Sequence, residues 1–293
     1  LQKLLPPGWL SKTTGLACRR IVRCFRSLIK PMGSQSSRCC SQDLANVNLA
    51  PVHELSFPMY LMKVTDFLKL PPGPIEAHDQ VRGQLHAWRP GMFVLFISHQ
   101  WLGVTHPDPL GEQVSVLRGA LRGMIDGSLK VEVDMVSVFQ SQPALSFSQK
   151  TRRDVAEGYI FLDWFAIPQV TCRQEGVNED MTRSKAALAV QSIPAYVEMC
   201  NLFVALVPEL RHSTTENTCN YSTWLQRGWC RAELWCHVLS NKVDTSVILV
   251  HSSKEAEFMF PLDWQENSVA TGAFTVEADR KVVTQLAQVA LDS

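Results

Sequence analysis

The segment RGWCRAELWCHVL, residues 227–239, places one carboxylate, Glu233, in a stretch that is otherwise typical of a buried helix. A carboxylate among apolar neighbours costs free energy unless it is paired or hydrogen-bonded. On a helix, Glu233 lies one turn from Trp229 and one turn from His237. Two interpretations follow. Glu233 either pairs with His237 or with an arginine from elsewhere, or it faces a cleft in which apolar neighbours raise its proton affinity.

Further polar residues follow apolar runs that are typical of parallel strands buried on both faces. In α/β sheets, ligands bind outside the carboxyl ends of the strands. Three unusual segments are expected at that edge, namely SHQW (98–101), DWFAIPQ (163–169) and the polar loop before Trp224. The sequence therefore predicts that these segments converge on one edge of the sheet.

Several kinds of chemistry are disfavoured by missing motifs. A serine hydrolase of the α/β type needs G-x-S-x-G, and FISHQ around Ser98 lacks both glycines. Neither GxGxxG after a strand nor GxxxxGK[ST] occurs, which disfavours Rossmann dehydrogenases and P-loop NTPases. The spacing of Cys230, Cys236 and His237 is poor for zinc and a fourth ligand is missing, so no metal is predicted. Asp163 either binds a ligand hydroxyl or fixes the turn that follows it.

The bulk composition permits an extended core and gives no sign of a nucleic-acid partner. The chain has 293 residues, of which 46% are hydrophobic and 19% charged, with a formal net charge of zero. Its nine cysteines are an odd number, which favours reduced thiols in an intracellular, cytoplasmic protein. No apolar run reaches the roughly 18 residues that a membrane-spanning helix needs, so no transmembrane segment is predicted.

The first 46 residues carry an uneven charge, because basic side chains accumulate there and the first acidic residue is Asp43. Such a start is typical of an organelle transit peptide or of a helix that contacts a membrane surface. A solvated basic tail is the alternative interpretation. The basic residues are Lys3, Lys12, Arg19, Arg20, Arg23, Arg26, Lys30 and Arg38.

The order of the elements predicts an α/β fold, a Rossmann-like (flavodoxin-like), mostly parallel sheet flanked by helices. Asp108 is expected to cap the first of these helices with Pro109 at its first position, and Pro194 is expected to bend or split a later one. We predict a basic extension and linker over 1–84, an α/β domain over 85–255 and a helical tail over 256–293. The predicted strands are MFVLFIS (92–98), GYIFLDWFAIPQ with its turn (158–169), NLFVALVP (201–208) and TSVILVH (245–251).

The ordered set FVLFISHQW, IFLDWFAIPQ, NLFVALVP and RGWCRAEL resembles the Toll/interleukin-1 receptor (TIR) superfamily. Those domains open with a strand that ends in Ser-His or Ser-Tyr. An acidic residue follows their second strand, and a Trp-Cys-x-x-Glu-Leu helix follows the third. Here Ser98-His99, Asp163 and the segment 229–234 take those places in the same order.

The middle of the chain is also similar to the fungal heterokaryon-incompatibility (HET) domain and its Ile-Asp-x-x-Cys-Ile-Asn-Gln turn. LDWFAIPQ follows that pattern, with Ala166 in place of the cysteine and Pro168 in place of the asparagine. A further departure is Arg227, which stands where TIR domains usually have a small hydroxyl residue. The two resemblances together cover roughly residues 88–255.

The TIR resemblance implies a function and a site. In enzymatic TIR domains, the glutamate of that helix is essential for cleaving the bond between nicotinamide and ribose in NAD, which makes Glu233 the expected catalytic residue. NAD would be the substrate, and no resident cofactor is implied. The residues expected to line the dinucleotide cleft are Ser98, His99, Trp101, Asp163, Trp164 and Trp229.

The resemblance also implies a signalling or self-defence domain that associates with itself or with other TIR/HET-like domains. Two alternatives stay open. One is a non-catalytic interaction module in which Glu233 is a structural partner, because fold does not imply catalysis. The other is a hydrolase or transferase that acts on a different nucleotide in the same cleft.

Overall fold

The computed structural model describes residues 55–133, 145–169, 179–240, 242, 244–260, 263–265 and 267–292. The basic stretch before Asp43 lies outside the described residues. Most of the polar segment MVSVFQSQPALSFSQ (135–149), whose sequence is typical of an insertion or long loop, lies outside them as well.

Eleven strands lie in the described residues, and nine of them form one sheet in the order β2-β1-β6-β3-β7-β10-β11-β4-β5. Its centre is parallel, since β6, β3, β7 and β10 all run in one direction. The predicted α/β fold is therefore confirmed. The strands are β1 (Tyr60–Lys63), β2 (His86–Ala87), β3 (Val94–His99), β4 (Lys130–Glu132), β5 (Leu145–Ser146), β6 (Tyr159–Phe161), β7 (Leu202–Leu206), β8 (Leu210–Arg211), β9 (Thr218–Cys219), β10 (Val247–Ser252) and β11 (Glu255–Phe258).

Helices connect the parallel strands, as the alternation of patterns predicts. Helix α9 carries Glu233 and packs against α7 and α10. The helices are α1 (Val64–Phe67), α2 (His78–Val81), α3 (Glu112–Asp126), α4 (Gln149–Glu157), α5 (Asp163–Ala166), α6 (Glu179–Gln191), α7 (Ile193–Met199), α8 (Tyr221–Gln226), α9 (Gly228–Val238) and α10 (Asp279–Asp292).

The prolines and the predicted cap act close to where the sequence places them. Pro194 lies in the first turn of α7, directly after α6 ends, so the predicted split of this helix is confirmed. The carboxylate of Asp108 accepts the backbone N–H groups of Glu112 and Val114, both at 2.9 Å. Pro109 was wrongly predicted as the first helical residue, because α3 begins only at Glu112.

The core lies on both faces of the parallel strands. Every residue of β3 is buried, and the ring of Phe96 stacks between Phe161 and Phe203 on the two neighbouring strands, with centroid distances of 4.9 and 5.3 Å. These rings hold β6, β3 and β7 in register, and their carboxyl ends therefore lie side by side.

The sheet also extends beyond the predicted boundaries of the α/β domain. Strand β1 lies in the segment predicted as a linker, yet it pairs with β6, and its residues Leu61 and Met62 are buried in the main core. Strand β11 extends into the segment predicted as a tail and pairs with β10. Helix α10 then follows within that segment and packs against α9.

Candidate functional site

The helix that carries Glu233 begins at a glycine for which the structure leaves no room for a side chain. A Cβ added to Gly228 would lie 1.9 Å from Cζ of Phe274, and its N–H donates to the carbonyl of Ala273 at 3.0 Å. Three residues further on, the guanidinium of Arg231 donates to the carbonyl of Ser268 at 2.7 Å. The segment after β11 thus fixes the start of α9.

Glu233 meets the tip of β3. The hydroxyl of Ser98 donates to Oε2 of Glu233 at 2.5 Å, and the indole Nε1 of Trp224 donates to Oγ of Ser98 at 3.1 Å. Ser98 is fully buried, whereas Glu233 is partly exposed. The structure therefore brings together two predicted site residues, with the hydroxyl behind the carboxyl.

His99 and Asp163 form a second pair beside this carboxyl. Nε2 of His99 lies 2.9 Å from Oδ1 of Asp163, and Trp101 donates its Nε1 hydrogen to Oδ2 at 3.1 Å. Nδ1 of His99 lies 2.8 Å from Oε1 of Gln113, whose own amide nitrogen donates to the carbonyl of Gln100. Because Oε1 of Gln113 can only accept, Nδ1 of His99 carries a hydrogen. The geometry fits an imidazolium that donates from both nitrogens.

The titration behaviour of these groups follows from their surroundings. Burial lowers the pKa of His99, but the charge and hydrogen bond of Asp163 outweigh it and raise that pKa to about 9. Burial of Asp163 is likewise outweighed by His99, which holds the carboxyl pKa below its ordinary value. For Glu233, burial raises the pKa to about 8, opposed by the Ser98 hydrogen bond and reinforced by the charge of Asp163. At neutral pH, Glu233 is therefore mostly protonated beside a charged pair.

Three of the predicted cleft residues, Ser98, His99 and Trp164, are buried and do not line an open cleft. Ser98 is fully buried, so it reaches a substrate only through Glu233. Trp164 is 2% exposed and donates its Nε1 hydrogen to the carbonyl of Ile75 at 2.8 Å, so it belongs to the core. Trp229 is partly exposed, and its Nε1 donates to Asp279 on α10 at 3.1 Å. Its polar end is thus committed to α10.

The pairing of Glu233 with His237, one of the two partners named in the first interpretation from sequence, is wrong. His237 is buried, stacks on Phe203 at 4.7 Å and donates from Nε2 to the carbonyl of Ser246 at 3.1 Å. Burial lowers its pKa to about 3, so the ring is neutral. The partner of Glu233 is the hydroxyl of Ser98 instead.

Sequence reasoning missed the roles of Trp224 and Gln113. A buried indole usually finds a partner for its N–H, so Trp224 was a recognisable donor without an identified acceptor. Gln113 is buried on α3, and a buried amide needs hydrogen bonds on both of its ends. In each case the residue type gives the need for a partner, and only the fold shows which partner it is.

A small cavity borders the site. It measures about 10 Å³, room for about one water molecule, and its lining includes His99, Gln113 and Trp164 but not Glu233. Ligand clefts are roughly 300–1,000 Å³. A dinucleotide would therefore have to approach Glu233 and Asp163 from the surface, where both are partly exposed.

Comparisons with protein-family models, with curated proteins and with solved structures found no match. Among the residues that the structure describes, no group of three or more His, Cys, Asp and Glu side chains is placed to hold a metal ion. None of the helices in that part of the chain is long and apolar enough to cross a membrane.

Proposed function

We propose that this chain is a TIR/HET-like domain that acts by association and cleaves the nicotinamide–ribose bond of NAD at Glu233. One observation carries the proposal. A partly exposed carboxyl with a raised pKa is held by Ser98 at the carboxyl edge of the sheet, beside the charged pair of His99 and Asp163. Perturbed carboxyls in such arrangements mark candidate catalytic sites.

The reaction requires an anion opposite the sugar. When the glycosidic bond breaks, its electron pair leaves with the nicotinamide nitrogen, which becomes neutral, and the ribose becomes oxocarbenium-like. Because the leaving group departs as a neutral pyridine, it needs no proton from the protein. The working form of Glu233 is then the carboxylate, which stabilises the positive ring and holds ribose hydroxyls. Water adds to the ribose carbon and releases one proton, giving nicotinamide and ADP-ribose.

The two carboxyls would have separate tasks. Asp163 stays ionised because the charge and hydrogen bond of His99 lower its pKa. Glu233, in contrast, is mostly protonated before substrate binds. A cationic nicotinamide ring near Glu233 favours its ionised form, so the proton leaves as NAD binds. Carboxyl pairs whose environments push their pKa values apart are typical of glycosidic chemistry.

The test is release of nicotinamide. The full chain, concentrated enough for copies to associate, is incubated with NAD and the products are separated by chromatography. We expect release by the wild type, loss in Glu233→Gln with the fold retained, and wild-type activity in Glu157→Gln, an exposed glutamate at the end of α4. Absence of nicotinamide at every protein concentration would refute the proposal.

A non-catalytic association module is the second candidate, and one observation favours it. Ser98 is fully buried and its hydrogen bond already satisfies one oxygen of Glu233, so this network also serves to tie α9 to β3. In that case NAD stays intact. Sedimentation would then show concentration-dependent association that persists in Glu233→Gln as long as the fold does.

A further inference from the structure

We propose that Trp224 is a positioning residue that decides, through the hydroxyl of Ser98, which oxygen of Glu233 carries the proton. This inference rests on the proposed function, because it takes Glu233 as the catalytic residue. Its structural part can be tested without NAD.

Trp224 is held rigidly behind the site. It is 1% exposed on α8, and its ring stacks on Tyr221 with a centroid distance of 6.1 Å and an interplanar angle of 20°. The hydroxyl of Tyr221 in turn donates to Asp263 at 2.6 Å. The indole is therefore anchored on one side while its Nε1 hydrogen points at Ser98 on the other.

The hydrogen bonds of Ser98 set the position of the Glu233 proton. An indole N–H can only donate, so the oxygen of Ser98 accepts from Trp224. Ser98 has a single hydrogen, and it goes to Oε2 of Glu233 at 2.5 Å. Oε2 thus accepts in both protonation states of Glu233. With the Ser98 hydrogen on Oε2, a neutral Glu233 carries its proton on Oε1, the oxygen that Ser98 does not hold and that is left to meet a substrate.

The other groups that act on Glu233 do not depend on Trp224. His99 on β3 favours the ionised carboxylate, and Asp163 at the start of α5 opposes it. On α9 itself, burial together with Glu233 raises the pKa of the Cys230 and Cys236 thiols, which stay neutral. A change at Trp224 therefore reaches Glu233 through the direction of the Ser98 hydroxyl.

The substitution Trp224→Phe removes the donor and leaves a ring that can stack on Tyr221. Without the indole donor, the Ser98 hydroxyl is free to rotate and to accept the proton of a neutral Glu233, which favours the protonated form. We expect the pH profile of NAD cleavage to move by about one pH unit to the alkaline side. The reason is that the net free energy of one hydrogen bond is comparable to the free energy of a shift of about one pKa unit. At pH 7, kcat/KM falls about tenfold, and at high pH it recovers to the wild-type value.

Two further variants isolate the effect. Trp235→Phe is the matched control, because Trp235 lies on α9 and its Nε1 has no hydrogen-bond partner among the described residues. It should leave the pH profile in place. In the background Ser98→Ala, Trp224→Phe should cause no further shift, since the hydroxyl through which it acts is gone. An unshifted profile in Trp224→Phe, or the same shift without Ser98, overturns the proposal.

A measurement on the wild type needs neither activity nor the Trp224 variant. The indole ¹H–¹⁵N resonance of Trp224, assigned on the full chain, should move with pH around the Glu233 pKa of about 8 and stay fixed in Glu233→Gln. A resonance that ignores pH over that range overturns the proposal. If the resonance titrates but NAD is not cleaved, the NAD reaction fails while the role of Trp224 stands.

Discussion

Replacing Glu233 by glutamine should stabilise the fold, and by more at higher pH. The folded state raises the pKa of this carboxyl from its ordinary 4.5 to about 8, so it binds the proton more tightly than the unfolded chain does. The free energy of unfolding of the wild type therefore falls as pH rises from 4.5 towards 8. Each pKa unit corresponds to about 1.4 kcal/mol, which gives about 3 kcal/mol at pH 7. Partial exposure of the side chain lowers this to about 2 kcal/mol.

The assay is urea unfolding of wild type and Glu233→Gln at pH 4.5, 7 and 8.5. The hydrogen bond from Ser98 can be kept, because the glutamine oxygen also accepts. We expect similar midpoints at pH 4.5 and a higher midpoint for the glutamine variant at pH 7 and 8.5, with the slope unchanged. If the variant is no more stable than wild type at pH 8.5, the folded protein does not raise the pKa of Glu233 and the reasoning is refuted.

Three further predictions concern charge and packing. The kcat/KM for NAD cleavage, which reports the free protein, should rise with pH through about 8 as Glu233 ionises, and values that fall over pH 6–8 would contradict the carboxylate role. Asp163→Asn leaves His99 buried without its counter-ion, which should lower the His99 pKa. The same substitution should lower the free energy of unfolding by about 2 kcal/mol. NMR titration and urea unfolding would detect both changes, and an unchanged His99 titration would argue against the ion pair. Gly228→Ala should destabilise by about 2 kcal/mol in thermal unfolding, because its Cβ would lie 1.9 Å from a ring atom. Gly83→Ala, where nothing lies within 4 Å, is the matched control and should change little.

The centre of the fold was predictable because its strands are continuous apolar runs. NLFVALVP and TSVILVH have no polar face, so they fit strands covered on both sides, and the structure places β7 and β10 there. The outer strands gave no such pattern. Strands β4, β5 and β11 are two to four residues long, which is too short for a periodicity to emerge from one sequence.

The meeting of Ser98, His99, Asp163 and Glu233 was also predictable, because parallel strands end at the same edge of a sheet. The burial of Ser98 was not. The indole that donates to Ser98 belongs to Trp224, which is 126 residues away along the chain. The same holds for Trp164, which is buried with its indole on the carbonyl of a distant loop. Residue type thus indicated which groups need partners, whereas tertiary contacts decided which groups face solvent.

The ends of the sheet bear on how copies of the domain could assemble. In the described part of the chain, the two outermost strands, β2 and β5, have two residues each. Edge strands this short expose few backbone groups with which a strand from another molecule could pair. Association would therefore proceed through helices and loops, and any oligomer would grow by docking of surfaces rather than by lengthening of the sheet.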